Sequence, residues 1–342
     1  QSSIYEERSI VAKFTNLLTS NDEDNILNTN LNETVKKSKS NDIKYRKFNN
    51  NEFIILRTIS SNDKSVFYLV LHIESLYIFM MKINDERYDG RYHEREIEFC
   101  KSYSHRCLTK FYGFVIEKGK VAGLIYEYMC HDSLDSYLRR NPEKNDELFS
   151  NIAINRIMQG IEYLHSRKLI HRDLKPSNIL IDHDFLPYIS GFDTIRHLID
   201  ESDEPMTYDF CSVYFMSPEQ YVGTNISYAS DIYSFGLLIY YIIEGKRFLS
   251  LFGSISDTYE LLRQAKIEIP ANFKASKNIR AIINQCIKYK PEERITIEEI
   301  KNILINEIST INSLEQTLKN ESDPATKSKI THFIYESILI QF

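Results

Sequence analysis

The chain has 342 residues, with 42 Lys and Arg against 48 Asp and Glu, for a net charge of −6. At 42% hydrophobic and 26% charged residues it has the balance of a folded globular protein, long enough for two to three domains or one large two-lobed domain. The mild acidity argues against nucleic acid as the main partner, because phosphate backbones demand a basic face.

Residues 1–50 are polar and rich in Asn. Ile10–Leu18 carries the apolar spacing of one helix, and Lys36–Lys47 is basic and punctuated by Ser and Asn, as linkers are. This N-terminal extension reads equally as a small helical appendage or as a disordered segment. A first residue of Gln1 fits a fragment or a processed product. From Phe53 the pattern changes. Phe53–Ile59, Val66–His72 and Ser75–Ile83 are β-rich runs separated by polar turns, as in an antiparallel meander. A charged helical stretch follows at Tyr92–Tyr103, then strand-like runs at Phe111–Glu117 and Val121–Tyr128. Beyond Cys130 the spacing predicts helices at Leu134–Arg140, Leu148–Ser166, Tyr228–Ile243, Thr258–Ala265, Lys277–Ile287 and Thr296–Glu307.

Five strands with one inserted helix, followed by a helical region, predict an α+β molecule of two lobes. Residues 51–128 form a small antiparallel β lobe and 129–308 a larger, mainly helical one; 309–342 read as a helical tail. Ile232–Ile243, the most apolar helical run, is too short to span a bilayer and reads as a buried core helix. Cys100, Cys107, Cys130, Cys211 and Cys286 contain no C-x-x-C pair. They read as reduced, mostly buried thiols, which suits a cytoplasmic protein and suggests no metal site.

The segment richest in chemistry is His171-Arg-Asp-Leu-Lys-Pro-Ser-Asn-Ile-Leu-Ile181. It resembles the catalytic loop of the eukaryotic protein kinases, of the Ser/Thr type. Other landmarks of that family follow in order across residues 53–308. Lys82, ending Phe79-Met-Met-Lys82, resembles the third-strand lysine that reaches the α/β-phosphates, and Glu96 the helix glutamate that orients it. Glu127-Tyr-Met129 resembles the hinge, with Tyr126 as gatekeeper, and Leu180 joins the same nucleotide site. Ser217-Pro-Glu219 stands where the family has A-P-E. Asp231 opens the D-x-W-S-F-G-like helix, and Arg294 resembles the partner of Glu219.

The resemblance implies a division of labour. Phosphoryl transfer needs phosphates held in line and their charge neutralised. Asp173 would orient the acceptor hydroxyl, Lys175 would neutralise the transferred group, and Asn178 would offer an oxygen to Mg²⁺. Arg172 would pair with a phosphorylated activation segment, and Ser212 would contact Asp173 and Lys175. The bland reading of that segment, a solvated charged loop, stands beside the regulatory one.

Two parts of the pattern are broken. The family's D-F-G reads Gly191-Phe192-Asp193, so the second metal carboxylate is a glycine. In an extended segment Asp193, two residues on, is displaced by about 6–7 Å and is a poor substitute. The chain's 10 glycines begin only at Gly90, so the phosphate-covering loop has none: Ser60, Asn62 and Ser65 take their places. Phe67 and Met80 stand where smaller residues flank the adenine, and with Tyr126 they crowd the base pocket. Loss of one preorganised active-site group typically costs on the order of 10²–10³ in rate. These losses predict a pseudokinase: a signalling module that binds ATP or partner proteins. The alternatives are a weakly active Ser/Thr kinase and a scaffold without nucleotide. ATP is the implied ligand, and the missing carboxylate counts against Mg²⁺. Protein partners or a protein substrate are implied, with no nucleic acid and no membrane span; the oligomeric state stays open.

Overall fold

Six extended runs between Arg46 and Glu127 pair into one six-stranded sheet. The computed structural model describes residues 45–307 except 63, 85–89, 142–146, 199–211, 224–225, 249–259, 261–263 and 265–268. The helices expected at Ile10–Leu18, in the tail 309–342 and over most of Thr258–Ala265 lie outside the described residues. The strands are β1 (Arg46–Asn49), β2 (Phe53–Ser61), β3 (Ser65–His72), β4 (Ile78–Asn84), β5 (Phe111–Glu117) and β6 (Lys120–Glu127), ordered β1-β5-β6-β4-β3-β2. Helix α1 (Gly90–Ser102) is inserted between β4 and β5.

The sheet has one strand more than the five expected. β1 runs parallel to β5 from within the stretch read as N-terminal extension. A four-residue strand with one inward apolar residue, the buried Phe48, is too weak a periodic signal to be noticed. Its tertiary contacts are strong: the Phe48 ring lies 5.1 Å from that of Phe53, and Tyr45 packs edge-on to Phe114 at 5.3 Å. Gly113 makes the approach possible. A Cβ there would sit 1.9 Å from the Arg46 carbonyl oxygen, so only glycine lets β1 pass.

The larger lobe contains α2 (Leu134–Arg140), α3 (Glu147–Ser166), α4 (Pro218–Val222), α5 (Tyr228–Glu244), α6 (Lys277–Cys286) and α7 (Ile297–Glu307); the short α4 is not among the expected helices, and the others lie close to the expected bounds. Short paired strands β7 (Leu169–Ile170) with β10 (Arg196–His197), and β8 (Ile179–Ile181) with β9 (Pro187–Ile189), frame the loop that carries the chemistry. Helix α5 is buried from Ser230 to Ile242, as its apolar run predicts. No helix among the described residues is long and apolar enough to cross a membrane. One hydrophobic cluster joins α1 and the inner sheet face to α3 and α5. A smaller one (Phe48, Phe53, Val70, Met81, Val115, Ile125) fills the outer face.

Glu219 and Arg294 form a buried bidentate pair, at 2.6 and 2.7 Å, that ties α4 to the segment before α7. Ser230 Oγ adds a bond to Glu219 at 2.7 Å, and the guanidinium lies over the Tyr233 ring. Burial pushes the Glu219 carboxyl upward, but the bonds from Arg294 and Ser230 outweigh it and hold the group below its usual 4.5. A carboxyl depressed on folding contributes stability above its unfolded value and loses it as pH falls through the folded one. Acid denaturation should therefore steepen below about pH 4.5. Glu219→Gln should cost about 3–5 kcal/mol by leaving a buried guanidinium unpaired, read by urea unfolding at pH 7. Gly113→Ala should cost about 1–3 kcal/mol in the same assay, because a backbone carbonyl cannot rotate out of the way.

Candidate active site

The catalytic-loop segment leaves β7 in a strained turn. Arg172 has φ +73°, a left-handed conformation unusual for a side chain of this size. Asp231, in the first turn of α5, holds the turn: its carboxylate accepts the backbone N–H groups of His171 and Arg172, both at 2.9 Å. His165 Nε2 lies 3.0 Å from the same carboxylate, and Gln220 Nε2 donates to the Arg172 carbonyl at 2.8 Å. Burial raises the Asp231 carboxyl, but His165, His171 and the Arg172 amide together bring it below its usual value, so it stays ionised.

This turn presents Asp173 to the cleft. Its Oδ2 accepts from Asn178 Nδ2 at 2.9 Å and pairs with Lys175 Nζ at 2.9 Å. Asn178 sits in a 3-10 turn, Pro176–Asn178, and also donates to the Asp173 carbonyl at 2.8 Å. The structure thus brings together all three residues assigned to transfer in the catalytic loop.

Across the cleft, Lys82 and Glu96 form a buried pair at 2.7 Å. Lys82 is 6% exposed and Glu96 2%, so neither is a surface charge. Burial lowers the lysine's proton affinity, but the charges of Glu96 and then Asp193 raise it above the usual value. The gatekeeper Tyr126 joins the pair: its hydroxyl donates to Glu96 Oε1 at 2.7 Å and lies 3.2 Å from Cys100 Sγ. Burial, with Cys100 and Glu96 beside it, pushes the phenol well above its usual range, so it remains a donor at neutral pH. Phe192 lies between the lobes, 4.6 Å from the Phe99 ring of α1 and 6.3 Å from His171.

Gly191 adopts φ +81°, ψ 52° and caps a 3-10 turn, Phe192–Thr194. A Cβ at Gly191 would lie 2.7–2.9 Å from the side-chain amide of Asn178. The turn corrects one expectation. Asp193 does not follow in an extended segment: with a rise of about 2 Å per residue, its offset from Gly191 is nearer 4 Å. Asp193 is half-buried; burial raises its carboxyl, but Lys82 and then Lys64 bring it below the usual value.

The phosphate-covering loop is rebuilt around Asn62. Its side-chain oxygen accepts the backbone N–H groups of Lys64 at 2.9 Å and Ser65 at 2.8 Å. Ser65 Oγ donates to Asn84 on β4 at 2.7 Å, while Ser60 is exposed on β2 opposite Phe67. Amides that glycines would turn toward a phosphate are bonded within the turn. The Phe67 ring lies 5.9 Å from Lys82 Nζ, Met80 faces Tyr126 across the strand pair, and Met129 is buried. Glu127 ends β6, its amide donating to the Lys110 carbonyl at 2.9 Å, and Leu180 is half-buried opposite Tyr188. Ser212 begins a 3-10 turn, and its side chain lies outside the described residues, as do Ser202, Thr207 and Tyr208.

A model of the protein kinase domain matches residues 53–329. The chain belongs to the protein kinase family. Over 231 residues it is 32% identical to the G-type lectin S-receptor-like serine/threonine-protein kinase SD1-1 of Arabidopsis thaliana, covering 60% of this chain and 28% of that protein. Over 259 residues it is 28% identical to an Aurora kinase of Debaryomyces hansenii, covering 73% of this chain and 61% of that protein. The chain spans less than two thirds of the length of either relative. The two-lobed α+β architecture is that of a kinase domain.

For a protein kinase, the residues fit a nucleotide better than a metal. Lys82 is held charged by its buried pair with Glu96, as a phosphate contact would require. Mg²⁺ demands a near-octahedral set of oxygens. The catalytic loop offers Asn178 and Asp173, Gly191 offers no side-chain oxygen, and Asp173 Oδ2 already serves Asn178 and Lys175. The expected two-carboxylate cradle is not assembled at the family's own positions. Sequence reasoning missed Lys64, Cys100 and Gln220, which carry no motif. Only the odd placement of Asn62 and Lys64 in a glycine loop could have signalled a rebuilt turn. Asn62→Ala should destabilise the domain by about 1 kcal/mol in urea unfolding, by removing the acceptor for two amides.

Proposed function

We propose that this kinase domain binds nucleotide with impaired phosphoryl transfer and acts as an allosteric or scaffold module in signalling, a pseudokinase. One observation carries the reading: the metal position is Gly191, with the Asn178 side chain lying against its α-carbon. A glycine supplies no charge where the largest local positive charge would be held. Losing such a group reduces the rate by on the order of 10²–10³ or more. The amides bonded to Asn62 add a penalty at the phosphate-covering loop. What survives fits binding: the Lys82–Glu96 pair is assembled, and Asp173, Lys175 and Asn178 remain arranged for a phosphate-bearing ligand.

One observation favours a second reading, a conditionally active Ser/Thr kinase. Asp193 lies on a tight turn and its charge acts on Lys82. A carboxylate there is a candidate replacement for the missing one, and the Lys175-Pro-Ser-Asn178 spelling points to Ser or Thr as acceptor.

Melting temperature with ATP, each time with and without Mg²⁺, separates the two. A ligand of the folded state at 100 times its dissociation constant adds about 2.7 kcal/mol of stability. The pseudokinase reading expects a rise that is the same without Mg²⁺, and no phosphate transfer to a generic protein substrate. A rise that needs Mg²⁺ and disappears in Asp193→Asn, with transfer abolished by Asp173→Asn, would establish the second reading instead.

A further inference from the structure

Tyr126 is placed by β6 directly opposite Met80 of β4, and its ring packs edge-on against Phe111 at 5.4 Å. Its side chain is 3% exposed, so no water completes its hydrogen bonding from the surface. Instead of closing the base pocket alone, the hydroxyl is turned toward α1. It donates its one proton to Glu96 Oε1, which leaves the Cys100 thiol, one helical turn beyond Glu96, to donate back to the phenol oxygen. The other oxygen of Glu96 takes Lys82 Nζ at 2.7 Å. Both oxygens of the carboxylate are therefore engaged from the sheet, one by β4 and one by β6, and the helix is bonded to the sheet at two residues one turn apart.

We infer that Tyr126 is a positioning residue: its hydroxyl latches α1 to the sheet through Glu96 and Cys100, and so keeps Lys82 oriented for phosphate in the absence of nucleotide or of any activating modification. The consequence is a missing degree of freedom. A helix held inward by bonds internal to the small lobe offers a ligand little difference in affinity between two helix positions, and a ligand shifts an equilibrium only by that difference. Signals reaching this domain would then leave α1 in place. The inference concerns the helix and is independent of whether phosphate is transferred, so it survives or fails apart from the pseudokinase reading.

Hydrogen exchange of nucleotide-free protein tests it, comparing the amides of residues 96–102 with those of the core helix α3. In the wild type the two sets should be protected to within about tenfold of each other. Tyr126→Phe keeps the ring and removes the hydroxyl. It should speed exchange across 96–102 by about 10- to 100-fold, the range for losing a buried bond to a charged group, while α3 is unchanged. In a Glu96→Ala background the same Tyr126→Phe change should add much less, because only the weaker bond to Cys100 is left to lose. Three results would overturn the inference: wild-type exchange in 96–102 far faster than in α3, no change on Tyr126→Phe, or an equal loosening of both helices, which would mark Tyr126 as a plain core residue.

Discussion

The buried carboxylate of Asp231 is the interaction on which the site depends. A left-handed residue such as Arg172 costs on the order of 1–3 kcal/mol and persists only where its surroundings over-determine it. Asp231 fixes the amides on either side of the turn, and Gln220 fixes the Arg172 carbonyl. Those two side chains come from α5, buried from Ser230 to Ile242, and from the buried first residues of α4. Packing of an apolar helix thus determines the path of a polar loop, and the loop determines where Asp173, Lys175 and Asn178 point. Gly191 takes part in none of these bonds.

The charges of the cleft are balanced by the protein itself. Lys82 is flanked by Glu96 and, more remotely, by Asp193, while Asp193 in turn feels Lys64 from the tip of the rebuilt loop. A buried lysine without a counter-charge would be costly, as would a buried carboxylate without a cation. Here each has a counter-charge without an incoming ligand. A nucleotide would have to replace part of that compensation with its own phosphates, which sets its affinity against an interaction already in place.

The parts legible in the sequence were those with long periodicity or a dense motif. The apolar run of α5, the strand-like runs of β3 and β6, and the catalytic-loop segment all fold as their patterns predict. The parts that were not legible depend on contacts distant in sequence. β1 is decided by Phe48 and by the absence of a Cβ at Gly113, 65 residues later in the chain and invisible to any local window. The turn at Phe192–Thr194 depends on Gly191 adopting a left-handed conformation under Asn178, where an extended reading misplaces Asp193. Tyr126 could be read as bulky from its position. That its hydroxyl is spent on Glu96 is a matter of how a helix and a strand meet.

Fold and chemistry can part company in this molecule because they run through different atoms. From Asp231 the contacts lead through the His171 amide to the His171 ring, on to Phe192, across to Phe99 on α1, and from the same helix through Glu96 to Lys82 and Tyr126. That path crosses from the larger lobe to the smaller through tilted and edge-on aromatic contacts and buried bonds, each made by a side chain or a backbone amide. Gly191 lies beside the path, one residue before Phe192, and contributes a backbone conformation without a ligand atom. A substitution there removes an oxygen donor and leaves the aromatic contact standing. The contacts that join the two lobes are therefore made by packing and buried bonds, apart from the atoms that a metal would need.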